Sequence, residues 1–166
     1  MNKALKKHLN IAIQKKKENQ KLFAGLGKKR NLDALIHGMH DEIFERLDCL
    51  TCANCCKTTS PIFRPVDIDR IAKHLRMKAA DFTDTYLRVD EDDDFVLQKS
   101  PCAFLDEQNY CTIYEVRPLA CREYPHTDRK NMHQILDLTY RNTLICPAVA
   151  EIAERLKVAA NDNSSR

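Results

Sequence analysis

The feature that most constrains this chain is a run of four cysteines in eight residues, Cys49-x2-Cys52-x2-Cys55-Cys56, which we call the cysteine motif. A thiolate is a soft, polarisable ligand that binds zinc or iron, and two-residue gaps let neighbouring thiolates converge on one ion. Cysteines so closely spaced cannot easily all serve separate disulfides. The motif therefore predicts a metal-binding protein. Its candidate ligands are Cys49, Cys52, Cys55, Cys56, Cys102, Cys111, Cys121 and Cys146.

A disulfide framework is the first alternative, and it would require an oxidising compartment. Residues 1–17 read MNKALKKHLNIAIQKKK, in which charges interrupt every apolar run, so the sequence indicates no signal peptide. No stretch approaches the ~20 apolar residues that a membrane-spanning helix needs. We therefore expect a cytoplasmic chain with reduced thiols and no membrane contact. Redox thiols that bind no metal are a second alternative.

Composition predicts one small globular domain with an appendage, because the chain has 166 residues and is 43% hydrophobic. It has only three glycines and no G-x-G-x-x-G or G-x-x-x-x-G-K sequence, which argues against a nucleotide cofactor. We predict a basic helical extension over residues 1–30, a cysteine-cluster metal-binding domain over residues 31–159 and a disordered tail over residues 160–166.

The net charge of +3 conceals an asymmetry, since residues 1–30 contain ten Lys and Arg and a single acidic residue, Glu18. The rest of the chain carries a net charge of −6. Such a basic segment permits contact with nucleic acid. No interleaved aromatic pattern accompanies the basic run, so we favour a solvated extension over a nucleic-acid interface.

The periodicity of apolar residues predicts a fold that is mainly α with a small β-hairpin, arranged as a compact cysteine-rich metal-binding domain. Helices are predicted over residues 3–24, after an N-cap at Asn31, from Asp67, over Ala79–Leu87, around Cys121 and after Cys146-Pro147. The cysteine motif is predicted to be a loop or short turn. The hairpin is predicted at Ala103–Leu105 and Cys111–Tyr114, turning at Asp106–Asn109, with a further strand at Phe95–Gln98.

The spacing of the thiols bears on which metal they bind. Cys49, Cys52 and Cys55 have the spacing of bacterial ferredoxins, and Cys146-Pro147 is similar to their distal Cys-Pro. Cys56 departs from that pattern, because adjacent side chains generally point apart. Two tetrahedral zinc sites would use all eight thiolates, whereas one [4Fe–4S] cluster would use four. Zinc and iron–sulfur both stay open, and the spacing favours the cluster by a small margin.

Two arginines flank Cys121 and are candidate cofactor-binding residues. The guanidinium groups of Arg117 and Arg122 could offset the negative charge of clustered thiolates and lower thiol pKa values. The alternative is that they pair with Glu115 or Glu123 at the surface.

Four segments together are typical of one family. They are CLTCANCC at Cys49–Cys56, PCAFL at Pro101–Leu105, CTIYEVRPLACREYP at Cys111–Pro125, and CP at Cys146-Pro147. The chain resembles the YkgJ-type cysteine-cluster family of zinc- or iron-chelating proteins. The resemblance covers roughly residues 45–157 and implies metal chelation by these cysteines. It implies no particular reaction.

Three functions follow from these observations as hypotheses. The first is a zinc- or iron-chelating protein. The second is an iron–sulfur redox or methyl-transfer enzyme, since a similar cysteine block occurs in flagellin lysine N-methylases, although this chain is short for a methyl-donor domain. The third is a zinc-containing nucleic-acid-binding protein. The sequence has neither a Ser/His/Asp arrangement nor an H-E-x-x-H motif, so it leaves open whether the protein is an enzyme and which protein partner it has.

Overall fold

The structure, a computed structural model, describes the backbone of residues 3–164 and the side chains of residues 3–160. It is mainly helical with one antiparallel pair of strands, as the sequence predicts. The α-helices before the strands are α1 (Lys3–Gln14), α2 (Lys16–Gly25), α3 (Leu32–Phe44), α4 (Cys49–Cys52), α5 (Asn54–Thr58), α6 (Pro65–His74) and α7 (Ala79–Tyr86). After them come β1 (Leu87–Val89), β2 (Phe95–Leu97), α8 (Leu119–Glu123), α9 (Leu136–Asn142) and α10 (Pro147–Ser164).

The chain divides into two compact units. Unit 1 contains the chain up to Cys52 and from Pro125 onward, and unit 2 contains Ala53–Tyr124. This grouping differs from the predicted division, because α1 packs against α10 within unit 1 instead of standing apart as an extension. The predicted disordered tail, residues 160–166, is helical as far as Ser164, and residues 165–166 lie outside the described residues.

Unit 1 is ordered by the packing of helices around α10. Pro147 occupies the first turn of α10, where its missing N–H costs nothing, and Val149, Ile152 and Ala153 are completely buried. The long predicted helix over residues 3–24 is two helices separated at Lys15. Helix α1 buries Leu5, Leu9 and Ala12.

Polar contacts also connect the helices of unit 1. Glu151 of α10 is 8% exposed and forms an ion pair with Arg46, and Arg155 Nη1 donates to Glu42 Oε2 over 2.6 Å. The predicted helix after Asn31 is confirmed as α3, with Asn31 at the N-cap position. Asn31 has a φ of 56° and makes no side-chain capping bond.

Unit 2 contains an aromatic core. The rings of Phe82 and Phe104 stack with centroids 6.0 Å apart, and Phe63 and Tyr86 pack against Phe82 at 6.2 and 5.2 Å. The predicted helix at Asp67 is confirmed as α6, with apolar residues facing this core.

The hairpin is formed by different residues from those predicted. Strand β1 pairs with β2, with Leu87 opposite Leu97, and Asp90 Oδ1 accepts the N–H groups of Asp92 and Asp94 in the connecting turn. The predicted hairpin at residues 103–114 forms a single bridge, between Leu105 and Cys111. Strand β1 was missed because Leu-Arg-Val followed by five acidic residues gives a weak strand signal.

Candidate metal centre

The cysteine motif forms two short helices, α4 and α5, where a loop or short turn was predicted. Asp48 Oδ1 accepts the N–H of Leu50 over 2.9 Å, and this capping bond starts α4. Side chains three residues apart in a helix lie on one face, so Cys49 and Cys52 share a face of α4. Ala53, with a φ of 48°, ends that helix and begins α5, which carries Cys55 and Cys56.

The eight cysteines are distributed over both units. None of them forms a disulfide, and all lie within the described residues. Unit 1 contains Cys49, Cys52 and Cys146, and unit 2 contains Cys55, Cys56, Cys102, Cys111 and Cys121.

Backbone hydrogen bonds bring three cysteine-bearing segments of unit 2 together. The N–H of Cys102 donates to the carbonyl of Cys56 over 2.8 Å. The N–H of Thr112 donates to the carbonyl of Phe104 over 2.8 Å, so that Cys111 returns beside the segment that follows Cys102. Because these bonds join residues up to 46 positions apart, the sequence alone does not reveal them.

Helix α8 adds a fourth thiol, that of Cys121, which lies within electrostatic range of the other three. We call Cys56, Cys102, Cys111 and Cys121 the four-thiol set. All four side chains are half-buried.

Comparison with protein families now decides what kind of chain this is. A family model described as "Putative zinc- or iron-chelating domain" and named CxxCxxCC matches residues 48–146, a range that contains all eight cysteines. The chain belongs to the CxxCxxCC family. No curated protein and no solved structure matches it significantly. The match confirms the family that the cysteine pattern resembles and supports zinc or iron as the bound metal.

The thiols of the CxxCxxCC domain differ in pKa according to their surroundings. A hydrogen bond with Cys55 lowers the pKa of Cys56 to about 7. Burial, together with the charges of neighbouring thiolates, raises the pKa of Cys102 to about 11 and that of Cys121 to about 12. Burial likewise raises the pKa of Cys111. The surroundings of Cys102, Cys111 and Cys121 therefore disfavour their thiolate forms, and a bound cation would offset the negative charge of those thiolates.

Cys146 of the CxxCxxCC domain lies just before α10, and a helix N-terminus generally favours a thiolate. The N–H groups of Val149 and Ala148 do act in that direction. Burial outweighs them and, together with the charges of Cys49 and Cys52, raises the pKa of Cys146 to about 12. Cys49 and Cys52 are thus both within electrostatic range of Cys146.

The two arginines proposed to lie beside a cofactor make different contacts. Arg117 stacks over the ring of Tyr114 at 3.7 Å from its centroid, and its charge partly opposes the rise that burial causes in the pKa values of Cys111 and Cys121. Arg122 Nε donates to the carbonyl of Arg117 over 3.1 Å. Arg117 therefore acts electrostatically on two of the four thiols, whereas Arg122 supports its backbone. Their role beside a bound metal stays a prediction.

The remaining metal-ligating side chains do not complete a preformed site. His37 Nε2 bonds with the carbonyl of Arg129 and His40 Nδ1 with Thr127 Oγ1, both over distances below 3 Å. Among the side chains described, those of residues 3–160, no three from His, Cys, Asp or Glu converge in a metal-binding geometry. None of the helices described is sufficiently long and apolar to cross a membrane.

Proposed function

We propose that this CxxCxxCC protein binds an iron–sulfur cluster through the four-thiol set of unit 2. Its family membership already identifies a zinc- or iron-chelating domain. The observation that carries the finer proposal is that unit 2 gathers four half-buried thiols from separate stretches of the chain.

The donor set fits this occupant chemically. Four thiolates are the complete ligand set of a [4Fe–4S] cluster, and also of a tetrahedral zinc ion. A bound cluster would supply one-electron transfer chemistry. The four sulfurs do not converge on one point in the structure, so binding would require them to approach one another. Rotation about the χ1 angle of each cysteine could provide this movement.

The positive charge beside the ligands supports a cluster held by negatively charged thiolates. Cys56, Cys102, Cys111 and Cys121 lie far apart in sequence, so the set has neither the close cysteine pairs of structural zinc sites nor the C-x2-C-x2-C run of bacterial ferredoxins. Arg117 adds positive charge beside Cys111 and Cys121, which would offset the negative charge of a thiolate-ligated cluster.

Metal analysis of the protein purified without oxygen tests this proposal. We expect brown protein that absorbs near ~400 nm and contains iron and acid-labile sulfide in about equal amounts. Colourless protein with stoichiometric zinc would support the metal site but show that it binds zinc and not an iron–sulfur cluster. Purified protein that takes up neither iron nor zinc would overturn the proposal.

Single serine variants test the ligand assignment. Cys102→Ser and Cys121→Ser should lose most of the metal, while Thr51→Ser, an exposed change inside the motif that keeps a hydroxyl, should lose none. The ferredoxin-like spacing predicts instead that Cys146 completes the centre. Full metal retention by Cys121→Ser together with metal loss by Cys146→Ser would favour that arrangement over ours.

A further inference from the structure

We propose that Asp67, acting with Arg70, is a positioning residue that holds the Cys121 arm of unit 2 in place for metal binding. The Cys121 arm is the segment from Tyr114 to Glu123, which contains a 3-10 helix and α8. This inference rests on the proposed function, because it concerns how one ligand of the four-thiol set is held.

Asp67 is a completely buried carboxylate with several donors around it. Its Oδ1 accepts from Arg70 Nη2 over 2.6 Å and from the N–H of Leu119 over 3.3 Å. Its Oδ2 accepts from Arg64 Nε over 3.0 Å and from the N–H of Arg64 over 3.3 Å. A buried charge with this many charge-assisted bonds is fixed in position.

The bond to Leu119 gives Asp67 a second task besides capping its own helix. Leu119 is the first residue of α8, and Pro118 before it makes no side-chain capping bond. The first N–H groups of any helix need acceptors from outside the helix. Asp67 supplies one from α6, two residues before Cys121.

Arg70 fixes the backbone immediately before α8. Its Nε donates to the carbonyl of Val116 over 3.2 Å, and its Nη2 donates to the carbonyl of Arg117 over 3.0 Å. Asp67 and Arg70 therefore bond to the backbone of three residues of the Cys121 arm, Val116, Arg117 and Leu119. The arm contains a three-residue 3-10 helix and a five-residue α-helix, and helices this short are not stable on their own.

The other ligands are held differently. Cys102 is fixed through its own N–H to Cys56, and Cys111 through the bridge to Leu105. A change at Asp67 should therefore displace Cys121 selectively. Groups that orient metal ligands without touching the metal typically change affinity by about 10- to 100-fold when they are altered.

The first test uses Asp67→Asn in the full-length protein as purified without oxygen, with Asp69→Asn as the control, because Asp69 is exposed on the same helix. The alkylation rate of each cysteine by iodoacetamide is measured by peptide mass spectrometry. We expect Cys121 to react about 5-fold faster or more, with Cys102 unchanged within about 2-fold. Equal acceleration at Cys102 and Cys121 would show a general loosening of unit 2 and overturn the inference.

The second test is the rate of metal release from anaerobically purified protein to a chelator. Asp67→Asn should release metal about 10-fold faster or more, while Asp69→Asn should release it at the wild-type rate, because only Asp67 orients a ligand. Equal release rates for Asp67→Asn and the wild type would overturn the inference. If Asp67→Asn fails to fold, Arg70→Lys, which keeps the charge and loses the paired contacts, takes its place in both tests.

The two tests separate the inference from the proposed function. If Cys121→Ser retains its metal as the wild type does, the ligand assignment fails, while the alkylation result still decides whether Asp67 holds the Cys121 arm. If Cys121→Ser loses metal but Asp67→Asn changes neither rate, the ligand assignment stands and the positioning role is overturned.

Discussion

Unit 1 contains three of the cysteines and unit 2 contains five, and the two units differ in how much regular secondary structure surrounds them. Unit 1 is built from long helices, the longest being the eighteen residues of α10, whose buried face is aliphatic. In unit 2 the longest helix has ten residues and each strand has three. Its aromatic core lies among α6, α7 and the hairpin, whereas three of its five cysteines follow β2, where regular structure is sparse. The comparison indicates that long helices order unit 1, whereas unit 2 has less regular structure, and we expect unit 2 to depend more on a bound metal.

Removal of the metal should separate the two units most clearly. Binding energy at a structural thiolate site is folding energy, on the order of 10 kcal/mol for zinc. We therefore expect chelation to raise amide hydrogen exchange strongly over residues 100–124 and only weakly over α1 and α3. The measurement is hydrogen exchange followed by mass spectrometry on the full-length protein. Equal increases in the two units would mean that metal orders the whole chain.

Truncation of one core residue in each unit should sharpen the comparison. Phe82→Ala removes a completely buried ring from unit 2 and should lower the free energy of unfolding by about 3–5 kcal/mol. Ile152→Ala, in unit 1, should cost about 2–5 kcal/mol. Chemical denaturation gives both values. Because Phe104 packs on Phe82 and lies between Cys102 and Cys111, only the first variant should also reduce metal content.

The pH dependence of stability tests the buried charge of unit 2, and its effect is the smallest of the three. Burial opposes ionisation of Asp67, but bonds from Arg64 and Arg70 outweigh it and lower its pKa from 3.8 to about 2. The ionised form thus stabilises the fold above pH ~4, and this contribution is lost as the pH falls towards 2.

Denaturation at two pH values measures this loss. Between pH 6 and pH 3 the wild type should lose roughly 1 kcal/mol more than Asp67→Asn. Asp69→Asn, changed at an exposed carboxylate, should follow the wild type. Parallel curves for the wild type and Asp67→Asn would show that the carboxylate carries no such coupling.

The sequence predicted those parts of the fold that depend on local periodicity. Helices α3, α6, α7 and α10 follow from apolar residues at helical spacing and from Pro147 at a helix start. Residue type predicted Asn31 as the N-cap, but its side chain makes no capping bond. The side chain that is used in this turn is Asp33, which accepts the N–H groups of Asn131 and Met132. Contacts between residues about a hundred positions apart leave no local signal.

The same limit applies to the metal centre. The identity of the eight candidate ligands follows from residue type and spacing, and their family confirms zinc or iron chelation. Their distribution over two units does not follow, because it depends on bonds such as that from Cys102 to Cys56. Asp67 was predicted to favour the start of α6, but its bond to Leu119 could not be foreseen from sequence.

The left-handed turn at Ala53 has a consequence for which sequences this motif can accept. Ala53 combines a φ of 48° with only 4% exposure. Side chains with a Cβ disfavour this conformation by roughly 1–2 kcal/mol, and the burial leaves little space for a larger group. A library of all residues at position 53, selected for folded protein, should therefore enrich glycine and alanine whichever metal is supplied, because the backbone conformation restricts the residue there.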